Sequence, residues 1–458
     1  MADFDLVIVG TGSGNSILDG RFADWRVAIV ERGTFGGTCL NVGCIPTKMF
    51  VHTAELAAAP AAGAKLGVDA ELRGVRWADV RDRIFGRIDP IAAGGREYRT
   101  AHADNDNVTV FEGTARFTGP HELDVALSDG NRTSITADRV VLAAGGRPVV
   151  PDGLEDVPFH TSDTVMRLDE LPRRMVIVGT GFVAAEFAHV FSSFGVDVTV
   201  LGRSGAMLRH EDADISARFT ELARRRWDLR LDSTVASAAR GPGGIRVDLT
   251  DGSSVETDLV LVAIGRTPNS DLLDLPAAGV SVTTSGHVVV DKTQRTTAAH
   301  VWALGDLASP FELKHVANHE ARVVQHNLLH PDAPIEADHR FVPHAVFSSP
   351  QVAAVGLTER EARAQNVKYV TATQEYAGIA YGWAMEDTTG FAKLLADPST
   401  GQLLGAHIIG PQASTLIQPL IQAMSFGLDA RSMAHGQYWI HPAMPELIEN
   451  ALLNLPLD

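Results

Sequence analysis

The chain has 458 residues, 45% of them hydrophobic, and a net charge of −17. That length suits about three domains of roughly 150 residues each, and the acidic balance offers no basic face for nucleic acid. No run approaches the roughly 18 apolar residues of a membrane span, and the first apolar stretch enters a glycine loop rather than a cleavage site, so no membrane partner or signal peptide is expected and a cytoplasmic location is the default.

Taken from the N-terminus, Phe4 to Val9 reads as a short apolar strand running into Gly10-Thr11-Gly12-Ser13-Gly14-Asn15. The next strand, Trp25 to Val30, ends in Glu31, 21 residues after Gly10. Glycines let a backbone turn tightly against a pyrophosphate, a following helix N-terminus favours that anion, and the acid accepts from ribose hydroxyls. Asn15 stands where a third glycine packs helix on strand, which leaves that packing role open.

Cys39 and Cys44 follow, in Gly36-Gly37-Thr38-Cys39-Leu40-Asn41-Val42-Gly43-Cys44-Ile45-Pro46-Thr47-Lys48, and they are the only cysteines. A disulfide closing so short a loop stabilises little, so the pair reads as one that opens and closes in thiol–disulfide exchange. A regular helix would rise about 7.5 Å over five residues, beyond the roughly 7 Å limit for bridging two Cα atoms. The segment between them must therefore be distorted when oxidised, with Gly43 as the tolerant residue. Lys48, four residues beyond Cys44, projects from the same helical face, and its cation can favour a nearby thiolate.

Val140 to Gly145 is a strand ending in a glycine turn. A second nucleotide loop begins at Met175 to Val178, continues as Gly179-Thr180-Gly181-Phe182-Val183-Ala184, and predicts a helix through Glu186 and Phe187. Its following strand, Val196 to Leu201, ends not in an acid but in Gly202, with Arg203 and Arg209 close behind. Losing the acid removes the partner of a free 2′-hydroxyl, and arginines suit a 2′-phosphate, so this site is expected to take NADP(H). Leu259 to Gly265 and Val301 to Asp306 are further strands ending in glycine turns, the second placing an acid just after Gly305. Near the C-terminus, His441-Pro442-Ala443-Met444-Pro445-Glu446 places a carboxylate five residues beyond an imidazole, with Pro445 suited to begin a helix. The prolines fix a bend that can turn Glu446 back to orient His441 as a general acid–base. His189, His319 and His435 read as core or surface residues.

These motifs, in this order, resemble the pyridine nucleotide–disulfide oxidoreductases of the glutathione reductase and dihydrolipoamide dehydrogenase type, over essentially the whole chain. The resemblance implies an α/β fold with two Rossmann-like nucleotide-binding domains and a C-terminal α+β dimerisation domain. The expected layout is an FAD domain at 1–149, an NADP domain at 150–268, a central segment completing the FAD domain at 269–335, and an interface domain at 336–458. FAD is implied on the first loop, with Gly10, Gly12, Ser13, Glu31, Thr38, Lys48, Ala115, Gly145, Asp306 and Ala317 about it. NADPH is implied on the second, with Gly179, Gly181, Phe182, Glu186, Arg203, Arg209 and Gly265. Phe182 would act as a movable cover, and Lys48 would pair with Glu186.

The implied partner is a low-molecular-weight disulfide, with catalytic residues Cys39, Cys44, His441 and Glu446. His441 would act across a homodimer interface. No metal is implied. The C-terminal run Leu452 to Asp458 lacks the extra redox residues of mercuric reductases and large thioredoxin reductases. Where glutathione reductases place an arginine for a glutathione carboxylate, this chain has Gly20, with Arg21 adjacent. Further stretches, including Phe85 to Pro90, His315 to Arg322, Ala380 to Asp387 and Gly436 to Pro442, resemble the branch of the family that reduces mycothiol disulfide. An NADH-dependent dihydrolipoamide dehydrogenase is the alternative enzyme, and a structural flavoprotein subunit of a multienzyme complex is the alternative of another class.

Overall fold

The computed structural model describes residues 2–458, and its chain separates into two compact units. One comprises the chain up to Thr47, Arg81–Val149 and Arg266–His339; the other comprises Lys48–Val80, Val150–Gly265 and Arg340–Asp458.

In the first unit the run Leu6 to Val9 is apolar at every position because its strand, Phe4–Val9, is covered on both faces. Leu6 and Ile8 point into one core cluster with Ile29, Val141 and Leu304, while Val7 and Val9 point into another with Val30, Val140 and Ala303. Its parallel neighbours are Val27–Glu31 on one side and Arg132–Leu142 on the other, in the registers Leu6 to Val27 and Val7 to Val140. Val108–Gly119 extends the sheet beyond Val27–Glu31, and Val301–Ala303 extends it beyond Arg132–Leu142. The two longest strands run on past the parallel sheet and pair with Glu122–Leu127 in an antiparallel meander. The helix Lys314–Leu329 lays Ala321, Val324 and Leu328 on the Leu6/Ile8 face.

One sequence expectation fails here. The segment after the first glycine loop is not an α-helix but two short 3₁₀ turns, Ser13–Ile17 and Gly20–Phe22. The Asp19 carboxylate accepts from the Arg21 backbone N–H and so starts a new turn instead of prolonging the first. A 3₁₀ turn rises about 2.0 Å per residue against 1.5 Å in an α-helix, so it returns the chain along the strand with fewer residues.

The second unit holds a parallel sheet in the order Asp228–Leu231, Asp197–Gly202, Arg174–Val178, Leu259–Val262, His160–Thr161. An antiparallel sheet of Val235–Gly241, Gly244–Leu249 and Ser254–Thr257 shares its core. The expected helix is present as Phe182–Ser193, buried without a break from Ala184 to Phe191. His189 lies inside it, fully buried, and burial together with the Arg226 charge pushes its pKa down to about 3, so it is a neutral core imidazole. Lys48–Val80 groups with this unit through Trp77, whose ring stacks on Phe50 at 5.2 Å and whose indole N–H donates to Leu168 O at 2.7 Å.

The C-terminal part is an antiparallel sheet ordered His344–Val346, Gln351–Gly356, Leu403–Gly410, Phe391–Ala396, Val370–Glu375. Its core also takes Leu447, Ile448 and Leu452 of the helix Glu446–Leu453.

Within the apolar strand Phe391–Ala396 sits Lys393, whose side chain is only 3% exposed. Its ammonium meets Asp212 at 2.8 Å, Asp214 at 2.6 Å and Glu359 at 2.7 Å. Burial alone would lower its pKa, but the three carboxylates reverse this and hold it above the ordinary lysine range. Asp212, fully buried, also begins the helix Ala213–Arg224 by accepting from Asp214 N–H. Lys393→Met leaves that carboxylate without its counter-charge and is expected to cost about 3–5 kcal/mol of stability, read as a lowered denaturation midpoint. An unchanged midpoint would show that the network is idle.

Candidate active site

The first glycine loop turns at Gly10, where φ is +102° and an added Cβ would lie 2.4 Å from Ala143 O. Gly37 would likewise meet the Gly12 Cα at 2.7 Å, so the loop and the start of the Gly37–Asn41 helix touch backbone to backbone. Glu31 closes the next strand. Its Oε2 accepts from Thr11 N–H at 2.8 Å and Thr11 Oγ1–H at 2.6 Å, and its Oε1 accepts from Gly33 N–H at 2.8 Å. A carboxylate has about four acceptor positions, so this one is held rigidly and retains room for a sugar hydroxyl.

The open question at Asn15 has a structural answer. Close packing falls to Gly14, whose added Cβ would lie 2.6 Å from the Ala143 methyl. Asn15 instead holds the buried guanidinium of Arg99, accepting from Nε on its side-chain oxygen at 2.8 Å and from a terminal nitrogen on its carbonyl at 2.9 Å. Arg99 also donates to Asn105 and Leu18, so it pins the loop from beneath. Ser13 Oγ accepts from Lys314 Nζ at 2.8 Å and donates to Asn318 Oδ1 at 3.0 Å. Neither Arg99 nor Lys314 stands in a sequence motif.

Of the other residues expected here, Asp306 lies in the turn Gly305–Leu307, its carboxyl held above the usual range by burial while Arg266 opposes the shift. Gly305 N–H donates to buried Glu320 at 2.7 Å, and Ala317 packs against Gly305. Gly145 adopts φ +64° past the strand Arg132–Leu142. Ala115 faces the core opposite Val125, leaving its backbone as the part available to a ligand. Arg21 is forked onto Asp19, with contacts of 2.6 to 3.1 Å, and so is committed within its own turn. The donor set, a glycine-lined turn with a rigid acid and a second buried acid, fits a dinucleotide bearing a free ribose.

The chain between the cysteines breaks as their spacing requires. Cys39 lies in the helix Gly37–Asn41, Val42 leaves it at φ −142° and ψ 12°, and a new helix, Cys44–Gly63, starts at Cys44. Gly43 serves by closeness rather than by a left-handed φ, since an added Cβ would lie 2.9 Å from Thr38 O and 3.3 Å from Cys39 Cα. Asn41 Nδ2 ties the turn down by donating to the carbonyls of Thr34, Phe35 and Gly37. Both cysteines are thiols, Cys39 half-buried and Cys44 exposed, and they are hydrogen-bonded to each other. That hydrogen bond and, next, burial raise the Cys39 pKa far above the ordinary thiol range, with Lys314 pulling weakly the other way.

In the second unit Gly179 turns at φ +131° and Gly181 caps the helix Phe182–Ser193. Phe182 is exposed at its first position. Glu186, one turn on and buried, accepts from Lys48 Nζ at 2.5 Å and from Phe347 N–H at 2.9 Å, while Lys48 sits 4.3 Å from the Phe347 ring centre. The strand Asp197–Gly202 ends in buried Gly202, and Arg203 and Arg209 beyond it are exposed. Neither guanidinium is paired with a carboxylate among the described residues. His210 is pushed down by burial and then by the charges of Arg209 and Arg360, with Glu211 opposing them. Gly265, at φ +131°, follows the strand Leu259–Val262. Loose arginines beside an acid-free strand end fit a nucleotide with an added phosphate.

His441 and Glu446 meet as their spacing suggests. His441 Nδ1 lies 2.6 Å from Glu446 Oε1, and Glu446 Oε2 accepts from Ala443 N–H at 3.2 Å. Pro445 caps the helix rather than opening it, and Glu446 is its first residue. The carboxylate is 15% exposed and the imidazole 71%, so a fixed acid presents an outward-facing ring.

Residues 4–321 match the family model for pyridine nucleotide-disulphide oxidoreductases, and residues 342–452 match the dimerisation domain of that family. The chain is 55% identical to the mycothione reductase of Mycobacterium tuberculosis, over 99% of this chain and 100% of that one. It is 32% identical to the dihydrolipoyl dehydrogenase of the same species, over 99% and 98% of the two chains. Among solved structures, the HOCl-induced flavoprotein disulfide reductase RclA from Escherichia coli matches with a TM-score of 0.85 and 28% identity, covering 98% of this chain and 99% of that one.

Proposed function

As the chain belongs to the pyridine nucleotide-disulphide oxidoreductase family and is an FAD-dependent disulfide reductase using NAD(P)H, we propose that it uses NADPH to reduce mycothiol disulfide to two mycothiols. The contact between Cys39 and Cys44 at a helix break carries the reaction type, and the full-length likeness to the tuberculosis enzyme supports the substrate. The chemistry that bound FAD supplies is two-electron transfer from reduced nicotinamide to the Cys39–Cys44 disulfide. Gly10, Gly12, Ser13, Glu31, Thr38 and Asp306 hold it, with backbone contributions at Ala115, Gly145 and Ala317. Lys48, four residues beyond Cys44 in the chain, is held by Glu186. Phe182 moves aside for the nicotinamide, and Gly202, Arg203 and Arg209 select the 2′-phosphate.

The subunits pair through the dimerisation domain, and His441 acts on the dithiol of the opposite subunit. There it takes the proton from Cys39, whose thiolate attacks one sulfur of the substrate and breaks its S–S bond. The same proton passes from His441 to the departing sulfur. Cys44 then attacks the mixed disulfide, releases the second thiol and restores the Cys39–Cys44 bond. Across the cycle one NADPH and one proton are consumed for two thiols.

Initial rates of NADPH oxidation with mycothiol disulfide, glutathione disulfide and lipoamide, measured side by side, test the assignment. Mycothiol disulfide is expected to turn over and the others to lag by at least about a hundredfold, the usual consequence of leaving a recognition site's buried polar groups unpaired. Fast glutathione disulfide turnover without mycothiol disulfide activity refutes the substrate, and a preference for NADH at equal concentration refutes the reading of Gly202, Arg203 and Arg209.

A further inference from the structure

The two nucleotide loops share the sequence Gly-Thr-Gly and the same first-glycine geometry. An added Cβ would lie 2.4 Å from Ala143 O at Gly10 and 2.1 Å from Ala263 O at Gly179. They part at the threonine between the glycines. In the first loop the backbone and hydroxyl of Thr11 both donate to Glu31 at the end of the next strand. In the second, the matching strand end is Gly202, and Thr180 presents its methyl there. A Cβ on Gly202 would lie 2.2 Å from Thr180 Cγ2 and 3.2 Å from Leu231 Cδ2, and the first of these is closer than carbons approach. Gly202 thus does more than lack an acid, because the space from which an acid would grow is filled.

We propose that Thr180 is a second determinant of nucleotide choice, a two-position filler matched to residue 202. With the methyl turned in, it keeps the strand end closed and neutral, which leaves Arg203 and Arg209 to recognise a 2′-phosphate. With the methyl rotated out of that space and the hydroxyl within reach of the carboxylate, as the Thr11 hydroxyl reaches Glu31, it seats an acid that recognises a free 2′-hydroxyl. The two positions are staggered rotamers of one side chain. The proposal rests on the NADPH reading above and adds the residue that enforces the missing acid.

Dissociation constants for NADP⁺ and NAD⁺, measured by titration calorimetry on the FAD-loaded enzyme, test it. Gly202→Glu is expected to weaken NADP⁺ and tighten NAD⁺ by about tenfold each, the usual worth of a hydrogen bond to a charged group. The NAD⁺ gain requires the Thr180 hydroxyl to come within reach of the carboxylate, so the same change in a Thr180→Val background is expected to bring none. Equal NAD⁺ affinity of Gly202→Glu with and without Thr180→Val overturns the proposal. Should the glutamate variants fail to fold, Gly202→Ala adds only the colliding carbon. Its melting temperature is expected to fall with Thr180 and to recover with Thr180→Ser, which deletes the methyl; equal losses in both backgrounds also overturn it. Wild-type enzyme that binds NAD⁺ more tightly than NADP⁺ overturns the NADPH reading instead, and the comparison of glutamate variants then still decides the role of Thr180.

Discussion

Reduced Cys44→Ser enzyme mixed with mycothiol disulfide is expected to gain one mycothiol per subunit on Cys39 and to release one free mycothiol, whereas Cys39→Ser is expected to gain none. The asymmetry follows from the order of the two displacements. Cys39 opens the substrate disulfide and becomes joined to half of it, and only the sulfur of Cys44 can expel that half. Serine at 44 leaves the joined state stranded, and serine at 39 leaves no nucleophile to begin. Both variants are expected to lose at least about 10⁴-fold in NADPH-driven turnover, the scale on which removing a catalytic nucleophile acts. Turnover alone would therefore not tell the two cysteines apart. The mass of the intact subunit does, and an adduct on Cys39→Ser would reverse the assigned roles. Because burial, which does not depend on Cys44, raises the Cys39 thiol, adduct formation on Cys44→Ser should also quicken with rising pH, as more of the thiol becomes thiolate.

Much of this site was legible because local rules set it. Gly10 and Gly179 hold positive φ against a neighbouring carbonyl, a conformation that short sequence windows announce. The cysteine spacing demanded a break between two helices, and the break is there at Val42 and Gly43. His441 and Glu446 lie five positions apart, so a bend sufficed to bring them together. What escaped the sequence depends on distant partners or on space. Lys393 lies in an apolar strand, and its counter-charges come from 34 to 181 positions away. Arg99 supports the first loop across 84 positions. The crossover after that loop carried the glycines of a strand–helix turn yet folded into 3₁₀ turns, because the Asp19 cap restarts the chain there. The methyl of Thr180 over Gly202 is a matter of rotamer, which no pattern of residue types encodes.

For the proton-transfer pair, His441→Gln is expected to lower kcat/KM with mycothiol disulfide by about 10²–10⁴-fold at neutral pH, the range for losing a positioned general acid–base. The remaining activity should rise steadily with pH. Without the imidazole only Cys39 molecules that have lost their proton to water can attack, and the shared hydrogen bond and burial keep that fraction small until the solution is alkaline. Glu446→Gln tests the support rather than the proton carrier. The native carboxylate uses one oxygen for His441 Nδ1 and the other for Ala443 N–H. An amide has a single carbonyl oxygen, so it must abandon one of the two or present its NH₂ to a group that needs an acceptor. Removal of one such orienting hydrogen bond is expected to cost about tenfold in kcat/KM while leaving the adduct on Cys44→Ser intact. Measured pH profiles separate the two roles: the His441→Gln profile should lose its neutral-pH activity, and the Glu446→Gln profile should keep its shape at a lower height. A His441→Gln profile that merely drops without changing shape would place the proton transfer on another group.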